Sequence, residues 1–149
     1  MSDKILIIDE DKSFIKGLKY SLEQDGYAIE VSSYGKDALE KANKKDYEMI
    51  LLELDLPDMS GLTLCQNIRS VSAVPIIFLT SVNEDIKKIL ALEYGADDYL
   101  VKPFNILELK ARMKAILRRV NNTNDDPKYL IETKDFTINT LGRKITSLD

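Results

Sequence analysis

KILIIDED, Lys4 to Asp11, sets four consecutive apolar residues behind a lysine and runs straight into three acids. An apolar run without polar alternation suits a strand buried on both faces, and such strands sit in parallel sheets covered by helices on either side. Outward from it the same unit repeats. Phe14, Leu18 and Leu22 recur at four-residue spacing and stop before Gly26, a helix with a C-cap glycine. Ala28 to Val31 is the second strand, and Asp37 to Lys44 carries Ala38, Leu39 and Ala42 on one helical face. Met49 to Leu52 is the third strand, broken by Pro57 and Gly61, before a helix through Leu62, Leu64, Cys65 and Ile68. Pro75 to Leu79 is the fourth, followed by a helix with Ile86, Ile89, Leu90 and Leu92 that ends at Gly95. Asp98 to Val101 is a short fifth strand that meets Pro103, and Ile106 to Val120 is the last amphipathic helix. Strict alternation predicts right-handed crossovers and a doubly wound α/β fold, a five-stranded parallel sheet with helices on both faces.

Residues 1–120 thus read as one domain. Asn121 to Lys128, NNTNDDPK, is polar without apolar periodicity and reads as a linker. Residues 129–149 show strand-like alternation around Ile131, Phe136, Ile138 and Ile145, a short C-terminal β segment too small to bury a core alone. The 149 residues are 44% apolar and 31% charged, ordinary for a chain with a real core. No apolar run approaches the ~20 residues of a membrane span, and the N-terminus lacks the marks of a signal peptide, so a cytoplasmic location without membrane contact is expected.

The absences narrow the chemistry. There is no His, which removes His-based acid–base catalysis and His metal ligation, and a single Cys65 allows neither an internal disulfide nor a cysteine zinc cluster. Lys+Arg 21 against Asp+Glu 25, net −4, argues against a nucleic-acid-binding surface spread over the whole chain. Carboxylates, hydroxyls and lysine remain.

In doubly wound sheets the working site lies beyond the carboxyl ends of the strands. There the sequence puts Asp9 and Glu10 after the first strand, Glu53 after the third, Thr80 and Ser81 after the fourth and Lys102 after the fifth. Charged residues at a strand end meeting solvent are unremarkable singly; all of these at the same ends form a pocket. Carboxylates that close raise each other's pKa unless a cation compensates, and a hard ion that keeps several waters, such as Mg²⁺, suits the set.

KILIIDED, LLELDLPDMSG, PIIFLTS and GADDYLVKPF, in that order over Lys4 to Arg119, resemble the motifs of bacterial two-component response-regulator receiver domains of the OmpR/PhoB class. The resemblance implies the flavodoxin-like receiver fold with strand order 2-1-3-4-5, and a role for each matching position. Asp9 and Glu10 match the acidic pair that holds Mg²⁺, and Asp55 the residue that lends it a backbone carbonyl, with Glu53 at the same metal. Thr80 matches the hydroxyl that senses the phosphoryl group and Tyr99 the switch aromatic that swings inward with it. Lys102 matches the lysine that pairs with phosphoryl oxygens, and Lys102–Pro103 is expected to be cis, which proline tolerates.

One position departs from the pattern. The family's phosphoacceptor is an aspartate four residues before the Pro and eight before the Gly of its block; Pro57 and Gly61 fix that register, and the position holds Glu53. The extra methylene moves the carboxylate by ~1.5 Å. Phosphoryl transfer relies on positioning, so that shift is worth about 100-fold. Glu53 reads in three ways: a degenerate site that keeps a charge, an acidic mimic of the phosphorylated aspartate, or an inefficient acceptor.

The resemblance also implies partners: a sensor histidine kinase as phosphodonor, and a homodimer through the fourth helix, fifth strand and fifth helix. There Lys88 would meet Glu108, Glu93 would meet Lys114, Asp98 would meet Arg112 and Asp97 would meet Arg119, around an apolar patch of Ile89, Leu92 and Ala111. In this class a winged-helix domain follows the linker and reads DNA to regulate transcription. The tail resembles only its opening strands, and Lys128, Lys134, Arg143 and Lys144 are balanced by Asp125, Asp126, Glu132, Asp135 and Asp149. Specific DNA binding by this chain alone is not expected. Two readings of other classes stand beside the receiver: a vestigial pseudo-receiver acting only as an interaction or dimerisation domain, and an aspartate-nucleophile phosphatase. The second lacks the DxDx(T/V) motif after the first strand. The receiver is a signalling switch and not a metabolic enzyme; at most it handles its own phosphoryl group.

Overall fold

The computed structural model describes residues 4–125. Its strands are β1 (Lys4–Ile8), β2 (Ala28–Ser32), β3 (Met49–Leu52), β4 (Ile76–Thr80) and β5 (Asp98–Val101), and its helices α1 (Lys12–Gln24), α2 (Gly35–Lys44), α3 (Gly61–Arg69), α4 (Asp85–Glu93) and α5 (Ile106–Asp125), alternating along the chain. All pairings are parallel and the order is β2-β1-β3-β4-β5, as expected. From Ile5 to Ile8, Met49 to Leu52 and Ile76 to Thr80, no residue is more than 2% exposed, the two-sided burial that unalternated runs require.

The pleat sorts those runs between two faces. Leu6, Ile8, Ile50, Leu52, Ile76 and Phe78 share one core cluster with Ala38 of α2, Leu64, Cys65 and Ile68 of α3 and Ala91 of α4. Ile5, Ile7, Leu51, Ile77 and Leu79 point the other way, the side of α1 with its buried Ile15, Leu18 and Leu22. Cys65 is a packed core residue; burial pushes its thiol up to about 11.

The chain divides within α5 into residues 1–110 and 111–149. In the first unit the opening turn of α5 buries Leu109 and ties Lys110 to Asp25, 3.1 Å, at the end of α1. In the second, Met113 and Ile116 are buried. α5 runs to Asp125, so residues 121–125 of the expected linker are helical. Polar residues cost a helix only a few tenths of a kcal/mol each, so the absence of an apolar stripe does not end one. The rest of the linker and the expected β segment, 129–149, lie outside the described residues.

Two side chains brace the loops from a distance. The Asp58 carboxylate, in the β3–α3 loop, accepts from the amides of Gly35 (2.7 Å) and Lys36 (3.0 Å), and so caps α2, whose preceding Tyr34 offers no side-chain cap. Arg69, ending α3, donates to the carbonyls of Gly95 (2.9 Å) and Val74 (2.5 Å) and to Asp97 (3.1 Å), closing the α4–β5 turn onto α3.

Gly61 and Gly17 respond oppositely to a methyl group. A Cβ at Gly61 would strike the carbonyl oxygen of Glu53 and lie 2.9 Å from Leu54 Cα, whereas Gly17, inside α1, has open space around it. Gly61→Ala is expected to cost ~2 kcal/mol, and Gly17→Ala to add ~0.5–1 kcal/mol, both read from urea midpoints. A Gly61→Ala midpoint equal to that of the wild type would contradict the close approach of α3 to the end of β3.

Candidate functional site

Ladder bonds continue one residue past three strands and level their ends. Asp9 N donates to Ser32 O (3.0 Å), Glu53 N to Ile8 O (2.9 Å) and Lys102 N to Thr80 O (2.8 Å). The backbones that carry the two acids and the lysine are therefore fixed by the sheet. From there Lys102 Nζ reaches Asp9 Oδ2 at 2.8 Å and Glu53 Oε1 at 3.0 Å.

Each carboxylate is held at its other oxygen too. Asp9 Oδ1 accepts from the amide of Asp11 (2.9 Å), and Glu53 Oε2 from the amide of Asp55 (3.1 Å). The extra methylene of Glu53 is taken up by folding the carboxylate back over its own loop, which leaves one oxygen on the lysine. Side-chain exposures of 4% for Asp9, 11% for Glu53 and 15% for Lys102 put the cluster mostly out of water, where charge-assisted bonds are strong. Burial works against the charged form of Lys102, but the hydrogen bonds and charges of Asp9 and Glu53 outweigh it and hold the ammonium above its ordinary range.

Thr80 is fully buried, and its hydroxyl accepts from the amide of Val82 at 3.3 Å. Tyr99 donates its hydroxyl to the carbonyl of the same Val82 at 2.7 Å, and its ring lies 5.9 Å from that of Phe78. Burial, then the charges of Glu53, Glu84 and Asp55, push the Tyr99 phenol up to about 12, so it stays a donor. Lys102–Pro103 is cis.

Of the expected metal-holding residues, Asp9 and Glu53 converge, through Lys102. Glu10, Asp55 and Ser81 are exposed at the rim, and the backbone of Asp55 is tied to Ser60 by a bridge. Among the described residues no three His, Cys, Asp or Glu side chains cluster as a cation cage. The donors are all oxygen, which suits a hard cation that keeps its waters, and two of them already face one positive charge.

The expected dimer residues lie in both units. On α4, Ile89 and Leu92 are 52% and 51% exposed, with Ile86 continuing the row. Glu93 and Glu108 are exposed and Lys88 is half-buried. Asp98 accepts from the amide of Tyr99 at 2.8 Å. Asp97 is engaged within the chain, by Arg69 and by the amide of Ile76 at 2.8 Å. In the second unit Ala111, Arg112, Lys114 and Arg119 are exposed.

Three contributors escaped the sequence reading: Asp58, Arg69 and Phe14. The last was assigned only to the apolar stripe of α1, yet Lys102 Nζ lies 3.8 Å from its ring centroid. Its signal was its place three residues after Asp11, whose side chain caps the helix by accepting from Phe14 N at 3.1 Å.

Removing the ammonium should expose the charge balance. Lys102→Met is expected to lower stability by ~2–3 kcal/mol, since it leaves two poorly hydrated carboxylates facing each other. Excess Mg²⁺ is expected to recover part of that loss, and to raise the urea midpoint of the variant more than that of the wild type. A variant indifferent to Mg²⁺ would show that the two acids cannot share a divalent ion.

Residues 5–114 match the family model described as the response regulator receiver domain. The chain is 40% identical over 143 residues to the response regulator ArlR of Staphylococcus saprophyticus, covering 96% of this chain and 63% of that protein. It thus spans less than two thirds of that relative's length. The crystal structure of a two-component response regulator from Clostridium difficile matches with a TM-score of 0.78 at 45% identity, covering 81% of this chain and 99% of the other. A response regulator from Burkholderia pseudomallei, solved with a phosphorylated aspartic acid, a calcium ion and citrate, matches with a TM-score of 0.71 at 28% identity, covering 82% and 72%. Sheet order, the acids and lysine at one rim, and likeness over most of the length agree: this chain belongs to the response regulator receiver domain family.

Proposed function

We propose that in this receiver domain Glu53 stands in, in part, for a phosphorylated aspartate, biasing the switch toward its signalling arrangement without efficient phosphoryl transfer. The observation that carries the reading is the Glu53 Oε1–Lys102 Nζ pair at 3.0 Å. A carboxylate oxygen takes the lysine that the family uses for a phosphoryl oxygen. Tyr99 supports it: the ring is packed inward, with its hydroxyl on Val82, the same residue whose amide engages Thr80. Val82 thereby links the position that senses charge to the aromatic that reports it. A carboxylate carries about one charge where a phosphoryl group carries nearly two, so the bias is partial.

When bound, Mg²⁺ would neutralise the rim acids and draw an incoming phosphoryl group's charge; Asp9 and Glu10 would hold it, Glu10 directly and Asp9 largely through water, with Glu53 and the Asp55 carbonyl at the same ion. The chain's own residues do the rest. Lys102 orients the carboxylate of Glu53, Asp9 fixes Lys102, and the Asp55 amide restrains the second oxygen. A Burkholderia relative solved with a phosphorylated aspartic acid and a calcium ion supports a receiver that handles both a phosphoryl group and a cation.

Within a longer regulator, the module would take its input from a sensor histidine kinase in the cytoplasm and pass it, as a dimer through α4, β5 and α5, to a DNA-reading effector domain that regulates transcription. Among the described residues no helix is long and apolar enough to cross a membrane. The charge balance of residues 125–149 supports a chain that does not by itself bind DNA specifically.

The test compares this protein with Glu53→Asp and Glu53→Gln, adding beryllofluoride and Mg²⁺ and following the amide resonances of Thr80, Val82 and Tyr99. Glu53→Asp is expected to take up the phosphoryl mimic at least about 100-fold more tightly than the wild type. Glu53→Gln is expected to move the Val82 and Tyr99 resonances toward a state with the ring released. Equal uptake by wild type and Glu53→Asp would overturn the reading, as would a Tyr99 environment indifferent to Glu53→Gln. For the dimer, Glu108→Ala is expected to shift the sedimentation profile toward monomer, modestly, because exposed pairs contribute ~1 kcal/mol or less each. An unchanged profile would remove that interface.

A further inference from the structure

We infer that Phe14 is a positioning residue for the site lysine: its ring face closes the third side of the Lys102 ammonium and keeps it turned onto Asp9 and Glu53. An ammonium has three N–H donors. Two are directed at Asp9 Oδ2 (2.8 Å) and Glu53 Oε1 (3.0 Å), and the Phe14 centroid lies 3.8 Å from the nitrogen. The face of an aromatic ring carries negative potential, so a cation held there is stabilised, and more so when little water competes.

The ring is itself held in place. Asp9 Oδ1 accepts from Asp11 N (2.9 Å), Asp11 Oδ1 from Phe14 N (3.1 Å), and Lys102 returns from the Phe14 ring to Asp9 Oδ2, a closed circuit of four contacts through the β1–α1 turn. Phe104 meets Phe14 edge-on, centroids 6.1 Å apart and planes at 88°, and supports the ring. Beside the pair lies a groove of about 400 Å³ lined by Phe14, Ser81, Lys102, Pro103 and Phe104. Without the ring the ammonium would have that space to withdraw into, away from the carboxylates. Leucine at position 14 would keep the apolar stripe of α1 but supply no ring face; tyrosine would supply one.

The direct test is nitrogen-15 spectroscopy of the lysine ammonium in the full 149-residue chain. Exchange of the Lys102 ammonium protons with water is expected to be about tenfold faster in Phe14→Leu than in wild type, and near the wild-type rate in Phe14→Tyr. Phe104→Leu, which removes only the supporting edge, is expected to fall between them. Unchanged exchange in Phe14→Leu overturns the inference, and so does equal acceleration in the leucine and tyrosine variants, which would assign the residue to packing alone. A second arm rests on the reading of Glu53 above: in the Glu53→Asp background, Phe14→Leu is expected to weaken beryllofluoride binding about tenfold, with Phe14→Tyr restoring it. Failure of Glu53→Asp itself to bind the mimic would count against that reading, while the ammonium measurement would still decide the part played by Phe14.

Discussion

Among the described residues, the ammonium of Lys102 is the positive charge that pairs with both carboxylates where they sit side by side at the end of the sheet. Asp9 ends β1 and Glu53 ends β3, neighbouring strands, and both side chains are nearly closed to water. Left alone, such a pair of like charges would repel. Lys102 arrives from β5, with β4 in between, and it is the length of a lysine that spans the gap. The strand order therefore enters the chemistry directly, because it sets the gap that the lysine side chain has to cross. Thr80, which ends β4, lies under that span and is fully buried.

The loop after β3 keeps Glu53 where it is. Its backbone is bonded to β1 through Ile8 O, and Gly61 lets α3 begin against the carbonyl of Glu53 itself, with Gly61 N on Leu54 O at 2.6 Å. Asp58 fastens the middle of the same loop to the first turn of α2. Met59 lies over Gly35 so closely that a Cβ there would overlap its side chain, which explains glycine at the opening position of that helix. These contacts join β1, α2 and α3 to the short stretch from residue 53 to 61.

The fold was legible in the sequence because its strands carry no alternation: KILII, MILL and the run into Phe78 can be buried only in a sheet covered on both sides. The rim was legible because Pro57 and Gly61 set the register that puts glutamate at the acceptor position. Tertiary partnerships were not. Asp58 caps amides 22 and 23 residues away, and Arg69 serves carbonyls up to 26 away, distances at which no local pattern exists. Phe14 satisfies the helical stripe and the cation at once, and the stripe is the only one of the two that leaves a periodic mark. α5 runs on to Asp125 past the expected end at Val120 for a related reason: a helix is held by backbone bonds, which hydropathy does not record.

Why glutamate should favour mimicry over transfer follows from the use of its oxygens. For an acceptor, one carboxylate oxygen must be free to attack in line, at the cost of whatever bond it already makes. Here Oε1 is committed to Lys102 and Oε2 to the amide of Asp55. Attack by Oε1 would disturb its pair with the Lys102 ammonium and attack by Oε2 its bond to the Asp55 amide, and the longer side chain would still carry the new phosphoryl group ~1.5 Å from the place an aspartate would put it. Mimicry asks for neither step. It needs only a negative oxygen on the lysine and a switch residue that feels it, and the first is already present at 3.0 Å. The same methylene lets the carboxylate curl back far enough to occupy both donors, so on the proposed reading a hindered transfer and a standing signal would share a single geometric origin.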